Sequence, residues 1–413
     1  TKDFKIGIEH EKFLFDQNKN KRADYGTVLR MFNALSEFGW KPIMEKQNII
    51  GLQKEGKNIT LEPGNQIELS GDKLNNIHEA CAESHDYLFE LQQVTKKIGL
   101  KIVSAGFDPI SALDEVPNNP KQRYEVMTRD MPNGGSLSLD MMYRTCGTQL
   151  NLDYNSEKDF IKKFKVINSL VPISIALFAN SSIVEKKNSG YMSYRSKVWQ
   201  GTSRGGLPEV FFDNMNFEKY ADFAINFPLL FIQNDKEYLS GANYIFSDFM
   251  NGKIQEVSNR LPTENDLATH LSTIFTENRL KKYIELRSMD TCGWDCLCAG
   301  PAFNTGILYG NLDETFELIS KWDKNKIINA YLEAPKKGFN TELMGKDLLY
   351  WSSLLLNLSK KGLESRDVLN KSNENEVKFL NHLDKLIDNK TTNADHMIKK
   401  FSKDGNLSEL YDK

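Results

Sequence analysis

In the stretch FKIGIEHEKFLF, Phe4–Phe15, apolar and acidic residues alternate. With a side-chain period of two, Phe4, Ile6 and Ile8 share one face of a strand, while Gly7, Glu9 and Glu11 share the other. The same division recurs. In NITLEPGNQIELS, Ile59 and Leu61 oppose Thr60 and Glu62. After a Pro63-Gly64-Asn65 turn, Ile67 and Leu69 oppose Gln66 and Glu68. In RTCGTQLNLDY, Leu150 and Leu152 oppose Gln149, Asn151 and Asp153. In KYIELRS, Ile284 and Leu286 oppose Tyr283, Glu285 and Arg287. Strands with one apolar face pair into an antiparallel sheet covered on that face by helices. This pattern sets the expected fold: an α+β unit built on a mainly antiparallel sheet.

The polar face carries chemistry. A wet outer face explains any one strand, but Lys and Thr usually fill such positions. Here Glu9, Glu11, Glu62, Glu68 and Glu285 recur instead. Two carboxylates about 4 Å apart repel by roughly 4 kcal/mol at an effective dielectric near 20. If the strands share a sheet, such a cluster needs cations. An all-oxygen ligand set suits Mg²⁺, or Mn²⁺, better than Zn²⁺. Mg²⁺ with open positions points to phosphate chemistry. Arg287 lies on the same face as Glu285. Arg123, Arg144, Arg195 and Arg204 add guanidinium forks suited to carboxylates and phosphates. Arg195 and Arg204 flank Trp199 in the Gly/Ser-rich run from Ser181 to Gly206, which is too long for a simple connector and reads as a substrate loop.

Composition bounds the rest. The 413 residues are 40% hydrophobic, enough for a large core, and the net charge of -3 gives no field that would draw nucleic acid. The longest apolar stretch, around Leu170 to Ala179, is half of the about 20 residues a membrane span needs. Cys81, Cys146, Cys292, Cys296 and Cys298 form an odd, sparse set. That set fits a reducing compartment better than a disulfide framework. Cys292, Cys296 and Cys298 gather only three ligands, so no zinc is expected. The first strand begins almost at once and leaves no leader, so the expected setting is the cytoplasm. Helical spacing is expected over Tyr25–Phe38, Leu74–Ile98 and Asp159–Ala179. Strands are expected over Arg144–Tyr154 and Arg279–Arg287. Residues 1–325 read as a catalytic unit and 326–413 as a helical extension packed on it. The histidines are scattered, and His10, on the apolar side of its strand, reads as packed rather than ligating.

Eight blocks occur in order: IGIEHEKF, LEPGNQIELSG, RYEVM, GSLSLDMMYRTCGTQLNLD, FANSS, YRSKVW, HLSTIFTENRLKKYIELRSMD and LCAGPAF. Together they resemble the plant-type glutamate–cysteine ligases, which also occur in bacteria, from about Lys5 to about Gly310, three quarters of the chain. The resemblance implies a glutamine-synthetase-like fold, a curved antiparallel funnel wrapped by helices. It implies ATP-dependent joining of the glutamate γ-carboxylate to the cysteine amine through a γ-glutamyl phosphate, the first step of glutathione synthesis. It implies that Glu9, Glu11, Glu62, Glu68 and Glu285 hold Mg²⁺, and that Arg123, Arg195, Trp199 and Arg204 hold substrate. Gln149 and Asn151 would lie near the nucleotide or its metals, and Arg287 near the transferred phosphoryl group. The loop WQGTSRGGLP is shorter than the family's, and no redox control is carried over. The expected partners are glutamate, cysteine and ATP, with no nucleic acid or membrane, in a monomer or homodimer. Two other readings stay open: a γ-glutamyl ligase with a different amine acceptor, and a carboxylate-rich metal protein or hydrolase that does not use ATP. A two-carboxylate hydrolase needs only one acid and one base, which leaves the remaining Glu and Arg residues unexplained.

Overall fold

The first strand runs Ile6–Asp16 and organises the sheet around it. The computed structural model describes residues 3–234, 237–404 and 410–412. The front half of this central strand pairs with Ile67–Ser70 on one side and Gly147–Leu152 on the other. Its back half pairs with Leu100–Val103 and Lys21–Arg22. Beyond Ile67–Ser70 come Lys57–Leu61, Asn48–Lys54 and Lys41–Glu45; beyond Gly147–Leu152 come Ile284–Asp290 and Asn278–Leu280. These ten strands make one sheet. Every pairing in it is antiparallel.

The alternation seen in the sequence decides which face is covered. Ile6, Ile8, Leu150, Leu152, Ile284 and Leu286 are buried in one core with the helix Glu157–Leu177. Ile59, Leu61, Ile67 and Leu69 enter a second core with Met31 and Phe32 of the helix Tyr25–Leu35 and Leu91 and Val94 of the helix Ile77–Ile98. Each such side chain contributes roughly 1.5–3 kcal/mol on burial. A one-residue slip would turn the carboxylates inward, so burial fixes the register. Local chemistry sets the helix ends. Asn76 caps Ile77–Ile98 by accepting from the Glu79 N–H, and Gly99, at φ 73°, stops it. Helices Lys324–Lys337, Leu348–Arg366 and Asn381–Asp388 send Ile327, Leu355 and Leu383 into the same core as Ile6. No helix among the described residues is long and apolar enough to cross a membrane.

Several expectations are corrected. Lys41–Glu45 is an edge strand that was not anticipated; Pro42 masks it in the sequence and is tolerated because the strand has one neighbour. Arg144 closes the helix Ser138–Arg144 instead of opening a strand, which starts at Gly147. The run from Ser181 to Gly206 is not all loop, since Tyr194–Gln200 is a helix capped by Ser193. Arg279–Arg287 is not one strand: Asn278–Leu280 turns back on Ile284–Asp290, and the Lys281 N–H donates to the Tyr283 carbonyl at 2.8 Å. The cysteines are not all reduced. Cys81 is bridged to Cys298 across 217 residues, Cys292 is bridged to Cys296, and Cys146 is free and buried. The first bridge joins the helix Ile77–Ile98 to the loop after Ile284–Asp290, a proximity that spacing along the chain does not reveal.

Candidate active site

Pairing brings the acidic strands edge to edge. Glu11 lies opposite Glu68, Glu9 opposite Gln149, and Glu285 opposite Asn151. Partners across a pair share a face, so one surface of the sheet gathers Glu9, Glu11, Glu68, Gln149, Asn151 and Glu285. Glu62 joins from the Pro63-Gly64-Asn65 turn, where Asn65 adopts φ 60° and the Glu62 N–H donates to the Gln66 carbonyl at 2.8 Å.

The charges on this face divide in two. Burial, then Glu285, raises the Glu9 carboxyl above its usual range. Burial, then Glu62, pushes Glu11 up to about 7. Burial, then Glu9, Glu62 and Glu11, pushes Glu68 well up. The neighbours of these acids are mostly neutral. Asn151 Nδ2 donates to Glu9 at 2.8 Å, Ser70 Oγ donates to Glu68 at 3.0 Å, and the Gly147 N–H donates to Glu11. Glu285 is different. Burial acts to raise it, but Arg279, Lys281 and Arg287 together hold it well below the usual carboxylate range. Its oxygens lie 2.8 Å from Arg279 Nη2, 2.8 Å from Lys281 Nζ and 2.5 Å from Arg287 Nη1. A group of partly buried carboxylates with few cations of its own is a donor set that fits a hard divalent ion.

A β-bulge sets the geometry of Arg287. Leu286 pairs with Leu150 but Met289 pairs with Thr148, so Arg287 and Ser288 together oppose Gln149. The Arg287 side chain donates to the Gln149 carbonyl oxygen, and the Arg287 carbonyl accepts from Arg195 Nη2 at 2.7 Å. Arg195 and Trp199 lie one turn apart on the helix Tyr194–Gln200. The guanidinium groups of Arg195 and Arg287 lie 5.2 and 5.3 Å from the Trp199 ring centre.

A cavity opens beside this face. Glu11, Glu62, Arg123, Tyr124, Trp199 and Arg287 line it, with Met127, Met141 and Phe275. Tyr124 donates to Glu62 at 3.2 Å, and Arg123 donates to the Tyr124 hydroxyl at 3.0 Å. Arg123 Nε, Arg287 Nε and Trp199 Nε1 are buried donors with no partner among the described residues, and Asn151 Oδ1 is a buried acceptor in the same position. Unpaired buried donors beside a cavity call for an anionic ligand.

The structure thus brings together Glu9, Glu11, Glu62, Glu68, Glu285, Gln149, Asn151, Arg123, Trp199 and Arg287. Arg195 stands one layer behind the wall and acts on it through the Arg287 carbonyl. Arg204 does not reach the cavity: its fork is used on the carbonyls of Thr273 and Pro228, at 3.0 and 2.8 Å. His10 is buried with its ring 5.5 Å from that of Tyr87, as a packed residue. Sequence reasoning missed Arg279 and Lys281, hidden by the turn that folds them back on Glu285. It also missed Gly147. A Cβ there would come within 2.7 Å of the Arg195 guanidinium, and no local pattern marks the position.

The chain resembles known proteins along nearly its whole length. Residues 5–413 match the family model described as glutamate–cysteine ligase family 2. The chain is 40% identical over 402 residues to a chloroplastic glutamate–cysteine ligase of Nicotiana tabacum, covering 96% of this chain and 76% of that protein. It is 40% identical to the chloroplastic glutamate–cysteine ligase B of Oryza sativa subsp. japonica, over 96% of this chain and 80% of that one. The chloroplastic enzyme of Arabidopsis thaliana is 38% identical, over 97% and 77%. Among solved structures, the glutamate–cysteine ligase of Francisella tularensis in complex with AMP shares the fold, with a TM-score of 0.54 at 13% identity, over 99% of this chain and 87% of that one. The cytoplasmic setting expected from the sequence is overturned: these plant relatives are chloroplastic proteins. A sparse cysteine set speaks at most to redox conditions, not to which compartment provides them.

Proposed function

The chain belongs to glutamate–cysteine ligase family 2, and from that premise we propose that it joins the γ-carboxylate of L-glutamate to the amine of L-cysteine, driven by ATP. The product, γ-glutamylcysteine, is the starting dipeptide of glutathione biosynthesis. The observation that carries the reading is one sheet face on which a carboxylate cluster meets a wall of arginines with unpaired donors.

A carboxylate is a poor electrophile. Transfer of the ATP γ-phosphoryl group to the glutamate γ-carboxylate gives an acyl phosphate and ADP. The amine nitrogen then forms the C–N bond, the C–O bond to phosphate breaks, and the amine gives up a proton. Phosphoryl transfer needs alignment and charge compensation more than a protein nucleophile. Glu9, Glu11, Glu62 and Glu68 would hold the divalent ion, Mg²⁺ or Mn²⁺, with Glu285 joining them once Lys281 releases it. When bound, such an ion screens the phosphate oxygens and polarises the bond to be broken. Arg123 and the Trp199 N–H would anchor the glutamate α-carboxylate, leaving the γ-carboxylate toward the metal side. Arg287, fixed by Glu285, Gln149 and the bulge, would balance charge on the moving phosphoryl group. Gln149 and Asn151 sit between the two halves and would orient the nucleotide end. Arg195 supports Arg287 from behind.

The test is phosphate release with glutamate, ATP and Mg²⁺, with cysteine set against other amino acids as acceptors. Cysteine-dependent release is expected. Strong turnover with a different amine and none with cysteine would assign another acceptor. No Mg²⁺-dependent ADP binding would remove the ligase reading.

A further inference from the structure

Cys81 and His85 lie one helical turn apart on Ile77–Ile98, so both side chains leave the same face of that helix. Cys298, just ahead of the helix Ala299–Thr305, meets them from the loop that follows Ile284–Asp290. One ligand atom from each of Cys81, His85 and Cys298 lies within 4.8 Å of the others. His85 Nδ1 is 4.0 Å from Cys81 Sγ. The imidazole is held in place by a stack on Trp294, with ring centres 4.2 Å apart and planes at 16°. The other ring nitrogen, His85 Nε2, is buried with no hydrogen-bond partner among the described residues. The Cys81 and Cys298 Cα atoms are 5.7 Å apart.

A tetrahedral zinc ion with Zn–S near 2.3 Å and Zn–N near 2.0 Å sets its ligand atoms about 3.5–3.8 Å from one another. The three atoms here need to move by only about 1 Å to reach that arrangement. We propose that Cys81, His85 and Cys298 form a second metal site, separate from the carboxylate face, that takes a thiophilic divalent ion such as Zn²⁺ when the Cys81–Cys298 bridge is reduced. The step balances. A dithiol reductant gives two electrons to the bridge and becomes a disulfide; the S–S bond breaks and each sulfur takes a proton. The ion then displaces both thiol protons, binds two thiolates and the neutral imidazole, and leaves its fourth position to water. Two thiolates, an imidazole and a 2+ charge make a neutral site, which suits its half-buried position. The metal replaces one cross-link by another: the helix Ile77–Ile98 and the loop after Glu285 and Arg287 remain tied in the reduced chain.

The test uses the whole chain and does not depend on ligase activity. The protein is reduced with a phosphine, desalted under argon and titrated with Co²⁺, then with Zn²⁺ as competitor. Binding at the carboxylate face gives no sulfur-to-metal charge transfer, so that band reports a thiolate site, and the variant of the other cysteine pair shows which pair supplies it. Expected is one Co²⁺ per reduced chain with a thiolate charge-transfer band and tetrahedral d–d bands, erased by Zn²⁺ and missing in the unreduced chain. Cys81→Ser removes the band, and His85→Ala weakens Co²⁺ binding about tenfold or more. The Cys292→Ser/Cys296→Ser double variant keeps the band, and it serves as a folded control with the other cysteine pair absent. A reduced wild-type chain without the band, a band that survives Cys81→Ser, or one lost in the Cys292→Ser/Cys296→Ser variant overturns the assignment.

Discussion

Arg195 Nη2 donates to the main-chain carbonyl of Arg287 across 2.7 Å, so a residue outside the cavity fixes one that lines it. Lysine keeps the charge but cannot both reach that carbonyl and stack on Trp199. Arg195→Lys is therefore expected to lower kcat/KM for glutamate about tenfold, or ~1.4 kcal/mol, with a much smaller change in the KM for ATP. Steady-state kinetics with each substrate varied in turn checks this, and equal losses for both would detach Arg195 from the glutamate end.

Gly147 makes the same point from the backbone. A methyl group there would meet the Arg195 guanidinium at 2.7 Å and must push it aside. Gly147→Ala is expected to reduce turnover with glutamate about as strongly as Arg195→Lys, with little change in Tm, because only the tip of a long side chain has to move. The two substitutions should be non-additive, since they act on one arrangement. A double variant whose losses simply multiply would contradict the link.

Glu9→Gln and Glu68→Gln separate function from stability. Both acids are raised by burial and by their acidic neighbours, so the charge they carry opposes folding in the absence of an ion. Each amide variant is expected to lose ligation while its metal-free Tm is no lower than that of the parent. The parent should gain about 2.7 kcal/mol of stability from Mg²⁺ at a hundred times its Kd, and the variants should gain little. Thermal unfolding with and without Mg²⁺ measures both. A variant with near-normal turnover would take that glutamate out of the ion site.

The acid limb of stability should carry the mark of His270. Burial lowers this imidazole to about 4, and its Nε2 faces the Ala224 carbonyl at 2.8 Å. The unfolded chain, with an ordinary imidazole near 6.5, binds the proton more readily, so stability is full above about pH 6.5 and falls as the pH drops toward 4. The loss from this residue is at most about 3 kcal/mol. His270→Gln should flatten the slope between pH 6.5 and 4 in denaturant unfolding, and an unchanged slope would assign the acid sensitivity elsewhere.

The acidic face was legible because a strand has the simplest of periods. Once Ile6, Ile8, Leu150, Leu152, Ile284 and Leu286 are taken as buried, Glu9, Glu11, Gln149, Asn151 and Glu285 can only point the other way. What surrounds those residues was less legible. The tight turn at Lys281–Tyr283 reads as a continuation of one strand, and it alone brings Arg279 and Lys281 onto Glu285. Arg204 has the residue type and the neighbourhood of a substrate ligand, but the Thr273 and Pro228 carbonyls occupy it. Cys81 and Cys298 come from distant segments, and only the packing of a helix against a loop makes them neighbours. Periodicity reports a face; it does not report what folds over that face.

Three cations gathered around Glu285 would repel one another if the carboxylate were neutral. Glu285 thus serves as an internal stand-in for an anion, holding Arg279, Lys281 and Arg287 together before any ligand arrives. Under the proposed function, an incoming triphosphate would meet positive charge that is already assembled and would have only to trade partners with a carboxylate. The resting protein keeps a rehearsed copy of the charge pattern that its substrate brings.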